Sequence, residues 1–371
     1  MIERLDLTLI TAGLFLMFLG LVFVASIGSS IDGGNSGLVV RQGAFVALGI
    51  GLIAILLMIP LRVWQRCYPI LFGCAVALAA LVLIPAIGVE RNGATRWIDL
   101  GFFTVQPSEV CRLLLVGAMA GFLAMYPNRV RTNIAVASLP VLGMSVVLFL
   151  IYLEPDYGTV ALLGATAVGL LFAAGVRMWI LAVLGSGAVA GLIFLLTRES
   201  YRVERLVSFL NPFDDPFGSG YQLSQSLIAF GRAGPQGLGL GDGVQKLNYL
   251  PEAHNDFIYA VITEETGLLG AIGLIALMCV LVMRLLQIGK RALESELLFA
   301  GYVAYGSGIM LAMQFAVNVG VAVGILPTKG LTFPFVSFGG NSLLVCCALI
   351  GLASRASYET SIKSSAQRAL K

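Results

Sequence analysis

Ionisable side chains are scarce in this chain. Asp, Glu, Lys and Arg make up only 12% of the 371 residues, against roughly 25% in ordinary soluble domains. Histidine occurs once, as His254, and a lone histidine is more often a hydrogen-bonded structural residue than a ligand. A zinc-type His-Glu-x-x-His motif and a Walker A loop are both missing, which removes the commonest soluble-enzyme signatures. No basic run of five or more residues occurs, and the net charge is only +3. That balance gives no footing for nucleic acid. The six cysteines (Cys67, Cys74, Cys111, Cys279, Cys346 and Cys347) lie in or beside apolar segments without metal-ligand spacing. They read as small buried side chains. No polar stretch is long enough for a separate folded domain, and residues 1–371 read as a single polytopic unit.

What the chain does have is apolar sequence. Hydrophobic residues make up 58% of it, and the mean hydropathy is +0.93. A soluble core could not hide that much apolar surface, whereas lipid can surround it. A spanning helix needs about twenty apolar residues. That ruler predicts an all-α integral membrane protein of about ten spans, near 7–28, 39–59, 68–88, 108–126, 133–152, 158–175, 178–196, 257–286, 297–325 and 332–354. The short N-terminus runs into the first span with no small-residue cleavage site after it, so that span is expected to be retained.

Arginine and lysine orient the bundle. Arg4, Arg62, Arg66, Arg129, Arg131, Arg177, Arg284, Lys290, Arg291, Arg355, Lys363, Arg368 and Lys371 all fall in alternate loops. That side is expected to be cytoplasmic, with both termini on it. Trp64 and Trp179 fall near the inner boundary and Trp97 near the outer one, as interfacial aromatics do. The outer loops mix signs, and the longest runs from 197 to 256, between the seventh and eighth spans. Its aromatic punctuation suggests an ordered loop, and Gly220–Phe230 suggests an amphipathic interfacial helix.

Several charges sit at or inside span ends, where a functional role is the default hypothesis. Arg41 opens the second span, Glu109 and Arg112 the fourth, Asp256 the eighth, and Lys329 precedes the tenth. Together they could line a polar cavity open to the outer face. Bland readings stand beside these. Glu109, after Pro107, suits a helix N-terminus, Arg41 could snorkel to headgroups, and Trp97 could be a plain interfacial anchor. Glu264 and Glu265 lie about two turns into the eighth span and call for a cation, Arg112 or one on another helix. The alternating glycines of "GLGLGDG" (Gly237–Gly243) are weak evidence for phosphate binding, but allow close backbone approach to a ligand or membrane surface.

Longer motifs are more specific. "GATRWIDLG" (Gly93–Gly101), "QPSEVCR" (Gln106–Arg112), "EPDYGT" (Glu154–Thr159), the stretch Asn211–Gly270 containing "VQKLNYLPEAHNDF", and "GILPTKGLTFPFVSFGGNS" (Gly324–Ser342) resemble the SEDS family of bacterial shape, elongation, division and sporulation proteins. The resemblance covers nearly the whole chain and looks closer to the division (FtsW) branch than to the elongation (RodA) branch. It implies a peptidoglycan glycosyltransferase in the bacterial inner membrane at the division septum, polymerising lipid II on the outer face. Implied partners are lipid II, membrane lipid, a septal class B penicillin-binding transpeptidase of the FtsI kind, and regulators of the FtsQ, FtsL, FtsB and FtsN kinds.

The family's key acidic residue falls on Asp256, as a base, a metal ligand or an acceptor-positioning group. Magnesium or manganese is the implied cation, held by Asp256 and phosphate oxygens. Arg41, Arg96, Arg112 and Lys329, with Glu109, are the implied pyrophosphate and substrate contacts, and Trp97, His254, Asp156 and Ser337 the implied supports. The chain departs from the family pattern at Asn255, where threonine is usual, at Phe338 and Asn341, where tyrosine and serine are commoner, and at Arg112, where lysine is common. An elongation-type polymerase and a lipid II flippase are the alternatives, and a flippase would need a polar path reaching both faces.

Overall fold

In a computed structural model the chain is described at residues 4–31, 37–91, 94–101, 103–197, 209, 211–215, 218, 220–247, 249–327 and 330–369. In chain order the helices before the first strands are α1 (Leu7–Ile31), α2 (Gly37–Met58), α3 (Leu61–Arg66) and α4 (Tyr68–Leu81). A small sheet follows, β1 (Gly88–Arg91), β2 (Ala94–Asp99) and β3 (Thr104–Val105). Then come α5 (Pro107–Met125), α6 (Pro127–Thr132), α7 (Ile134–Leu153), α8 (Tyr157–Ala173), α9 (Met178–Thr197), α10 (Tyr221–Ala233), α11 (Ile258–Glu294), α12 (Leu298–Ala322) and α13 (Gly340–Ala369).

Each of the ten expected spans carries a helix. Seven of these (α1, α2, α5, α7, α11, α12 and α13) are long and apolar enough to cross a bilayer, while α4, α8 and the apolar part of α9 are shorter. The protein is therefore a multi-pass membrane protein. Helix α4 stops at Leu81, well short of the expected 88, because the chain turns there into the sheet. That sheet is antiparallel in the order β1-β2-β3, an addition to the all-helical expectation.

Exposed Phe15, Phe18, Leu48, Ile55, Leu142, Phe149, Val183, Ile272 and Met283 put an apolar belt around the bundle, the surface that lipid would cover. Of the cysteines, Cys111, Cys346 and Cys347 are buried as expected, but Cys74 and Cys279 are exposed on helix faces. All six are free thiols.

The loops that the basic bias assigned to one side meet at one end of the bundle. Asp6 pairs with Arg284 at 2.6 Å. Arg355 donates to the Leu57 carbonyl at 2.8 Å and pairs with Glu359, which accepts from the Leu61 amide. Arg131 donates to the Ala174 carbonyl at 2.8 Å.

Helix α11 is not one straight rod. At Gly267 the backbone turns to φ 69°, breaking it into two helices. A broken helix frees peptide groups that must be satisfied within the membrane. The glycine-rich loop after α10 does this: Leu238 and Gly239 donate to the carbonyls of Glu264 and Glu265, and Leu268 and Leu269 donate to those of Gly234 and Pro235. A Cβ on Gly267 would stand 2.3 Å from the Gly237 nitrogen. At Gly237 the close approach that a glycine allows is thus made to the chain's own helix. The amphipathic segment forms α10, with Leu223, Ser224, Ser226, Ala229 and Ala233 buried. Ser226 donates to the Ala322 carbonyl at 2.7 Å, so this face packs on protein.

Candidate active site

Asp256 sits in the last turn before α11, at the end of the bundle opposite Arg284 and Arg355. The segment carrying it is fastened to the 331–338 loop. Ser337 Oγ donates to the Asn255 carbonyl at 2.6 Å and accepts from the Phe333 amide at 2.7 Å. The Phe338 amide donates to the His254 carbonyl at 2.8 Å, and the two rings meet edge to face. From α12, Asn318 Nδ2 donates to the carbonyls of Asp256 at 2.9 Å and Leu331 at 2.6 Å. The backbone on both sides of the carboxylate is therefore pinned, while its side chain is left half-buried. On its other side the Cα of Gly330 approaches: a Cβ there would lie 3.2 Å from Asp256 Oδ2.

Burial is the largest influence on that carboxyl. It raises Asp256 from 3.8 to about 7, with Glu252 and Asp156 adding to the rise and Arg96 opposing it. Asp256 therefore changes charge near neutral pH, where an acid–base group is most effective. Arg96 reaches the site from β2. Its Nε and Nη2 donate to the carbonyls of Glu154 (2.9 Å) and Pro155 (2.6 Å), which lock the guanidinium beside the α7–α8 turn. The sheet absent from the sequence reading is what delivers it, and Asn341 ties β3 to the start of α13 by donating to the Thr104 carbonyl at 2.9 Å.

Deeper in, the implied contacts form a closed network. Arg112 is 2% exposed, pairs with Glu109 at 2.8 Å, and donates to Thr159 Oγ1 at 2.7 Å. Asp156 accepts from Ser108 Oγ at 2.9 Å and caps α8 through the Thr159 amide. Arg112, Glu109 and Asp156 thus join α5 to α8 below the site. Glu154, 1% exposed, is raised to about 9, first by burial and then by Asp156, and neither of its carboxyl oxygens has a hydrogen-bond partner. It is neutral at pH 7. Arg41 is exposed near the start of α2, beside Gln42, whose amide donates to the Ser337 carbonyl at 3.4 Å. Trp97 is half-buried on β2. Lys329 lies outside the described residues.

Of the partners expected for Glu264 and Glu265, Arg112 is not one, since it pairs with Glu109, whereas other helices do contribute, through Arg232 of α10 and Ser26 of α1. Glu265 pairs with Lys246 at 2.7 Å and accepts from Ser26 Oγ at 2.8 Å. Lys246, 1% exposed, also donates to the Gly241 carbonyl and to Ser26. Glu264 accepts from the Gln245 amide at 3.0 Å and lies 3.6 Å from Arg232. Sequence reasoning missed Lys246. Two acids inside a span required a buried cation, and Lys246 was the cation within the adjoining loop.

Among the described residues no group of three or more His, Cys, Asp or Glu side chains is placed to hold a metal ion. The donor set around Asp256 is one carboxylate with Glu252 and Asp156 acting from a distance.

A family model described as cell cycle protein, covering FtsW, RodA and SpoVE, matches residues 6–362. A Coxiella burnetii protein named probable peptidoglycan glycosyltransferase FtsW is 44% identical over 359 residues, 96% of each chain. A Halorhodospira halophila protein of the same name is 45% identical over 92% of this chain and 87% of its own. A solved structure described as "Structural coordination of polymerization and crosslinking by a peptidoglycan synthase complex" superposes with a TM-score of 0.79 at 28% identity, covering 96% of this chain and 98% of that one. The Thermus thermophilus rod shape determining protein RodA superposes at 0.72 with 28% identity, covering 95% and 96%.

Proposed function

The chain belongs to the SEDS family of cell-cycle proteins, and on that premise we propose that it is a division-type peptidoglycan glycosyltransferase. It polymerises lipid II at the outer face of the bacterial inner membrane, during septal wall synthesis. The observation that carries the reading is Asp256: a carboxyl pinned through its backbone, half-buried, and raised to about 7. The FtsW names of its relatives support the septal assignment.

The donor sugar is α-linked to pyrophosphate and the product is β-linked, which suits a single displacement. Asp256 takes the proton from the acceptor hydroxyl as its oxygen attacks the anomeric carbon. The bond to the pyrophosphate oxygen breaks, and the leaving group departs with the electron pair. Positive charge at the leaving group lowers that barrier. Arg96 supplies field beside Asp256, and Arg41, exposed near the start of α2, is the side chain open to phosphate. Lys329 keeps its phosphate role on the resemblance. Arg112 and Glu109 act as positioning residues, because their mutual pair leaves them buried.

A divalent cation, were one bound, would have Asp256 as its protein ligand, a role alternative to that of base. It would supply charge stabilisation to the leaving group. The transpeptidase partner is supported by the synthase complex whose fold this chain shares, and the further regulators follow from the division assignment.

The test is reconstitution of the purified protein, with and without its class B transpeptidase, on labelled lipid II with magnesium or manganese. Glycan polymer from wild type and none from an equally folded Asp256→Asn variant is the expected result. Polymer from both would remove Asp256 as the base. No polymer from either, with the partner present, would return the flippase reading.

A further inference from the structure

A cavity lies away from Asp256, between α4, α5 and α7, with a volume of about 330 Å³ and an almost wholly apolar lining. That volume is at the lower end of small-molecule sites, about 300–1,000 Å³. Its walls are Tyr68 and Phe72 from the start of α4, Met119 and Phe122 from the later part of α5, and Leu139 and Gly143 from α7. These stretches adjoin the Arg-bearing loops, so the cavity belongs to the half of the bundle opposite the candidate active site. Leu139, 54% exposed, stands at its mouth, which faces the lipid belt.

Aromatic wall residues and two exposed arginines adjoin one another at the end nearest those loops. Phe122 packs against the rings of both Tyr68 and Tyr126. Arg66 stands two residues before Tyr68, and Arg129 lies on α6, which Tyr126 caps. Both arginines are exposed. An apolar slot in the hydrocarbon region, with two exposed arginines within a few residues of its wall at the interface, matches one chemistry: an acyl chain joined to a phosphate.

We propose that this cavity is a selective site for a diacyl phospholipid with an anionic headgroup. One acyl chain lies between α4, α5 and α7, and the phosphate sits at Arg66 and Arg129. The polyprenyl carrier of the substrate is not the occupant, because its headgroup must reach Asp256 at the other end. Gly143 keeps the slot open: a Cβ there would already stand 3.3 Å from the Phe72 ring. The exclusion of the carrier rests on the polymerase reading, whereas the lipid selectivity that the assignment predicts is measured without polymerisation.

The test uses the full chain in phosphatidylcholine vesicles containing spin-labelled phosphatidylglycerol or spin-labelled phosphatidylcholine. The readout is the motionally restricted fraction of each label. Wild type should hold the anionic label several-fold more strongly than the zwitterionic one. Arg66→Gln and Arg129→Gln should each reduce that ratio about fivefold at most. Leu139→Trp, which plugs the mouth from an exposed position, should abolish the selective component, and Gly143→Leu should do the same from within. Thermal unfolding of each variant in detergent establishes that it is folded. Equal restriction of both labels by wild type would overturn the proposal. So would selectivity that survives both Leu139→Trp and Gly143→Leu, which would mean that arginines attract lipid to a surface with no site.

Discussion

Asp256→Asn should abolish polymer synthesis and, at neutral pH, make the protein more stable. The folded carboxyl titrates at about 7 against 3.8 in its ordinary environment. Between those values the folded state binds more protons than the unfolded state, so wild-type stability falls as pH rises through that window. Above about 7 the loss is complete, and below about 4 it vanishes. Asparagine stays neutral throughout. The three-unit gap converts, at about 1.4 kcal/mol per unit, to a ceiling of about 4 kcal/mol in favour of the variant. The backbone clamp from Asn318 and Ser337 does not involve the carboxyl, so the substitution leaves it in place. The assay is thermal unfolding of both proteins in one detergent from pH 4 to pH 8. The difference in midpoint should be near zero at the acid end, open through pH 5 to 7, and then level. A variant no more stable than wild type at pH 8, or a gain that does not change with pH, would refute the electrostatic account of the site.

Two substitutions should move the pH–rate midpoint in opposite directions. Arg96→Gln removes the cation that lowers the Asp256 value and should shift the rising limb to higher pH, while Glu252→Gln removes an anion that raises it and should shift the limb lower. Lys246→Met alone leaves Glu265 as an unpaired buried charge and should cost about 3–5 kcal/mol, whereas Lys246→Met with Glu265→Leu should recover most of that in thermal unfolding. Gly267→Ala forces a Cβ onto the Gly237 nitrogen at a positive φ, and should loosen the glycine loop, seen as faster amide exchange at Leu238 and Gly239.

The spans were legible because a bilayer demands long apolar runs, and that demand is written in consecutive residues. The same rule hid the break in α11. Hydropathy sees 257–286 as one apolar stretch, and only the paired glycines Gly237 and Gly267, thirty residues apart in the chain, show that two backbones must touch. The sheet was missed for a related reason: Gly88–Val105 is short, mixed in charge, and folds by pairing with itself at the membrane boundary. It nevertheless decides where Arg96 points.

The membrane-associated charges separate once their partners are known. Arg112 could have been assigned from sequence, since Glu109 lies three residues earlier on the same helix face, the spacing at which such pairs meet. Glu265 could not, because its cation lies across a loop whose path only the fold defines. Pairing removes Glu109, Arg112, Lys246 and Glu265 from the reactive set. Of the carboxyls without a salt-bridge partner near that end, two are pushed far above the ordinary range. Glu154 is almost wholly buried and raised to about 9, so it is a neutral acid at physiological pH. Asp256 is half-buried and raised to about 7, so both of its protonation states are populated there. A general base must give up its proton before it can accept one, and of the two only Asp256 can do so without a change in pH. The motif points to Asp256 by resemblance, and partial exposure is the physical difference that sets it apart from Glu154.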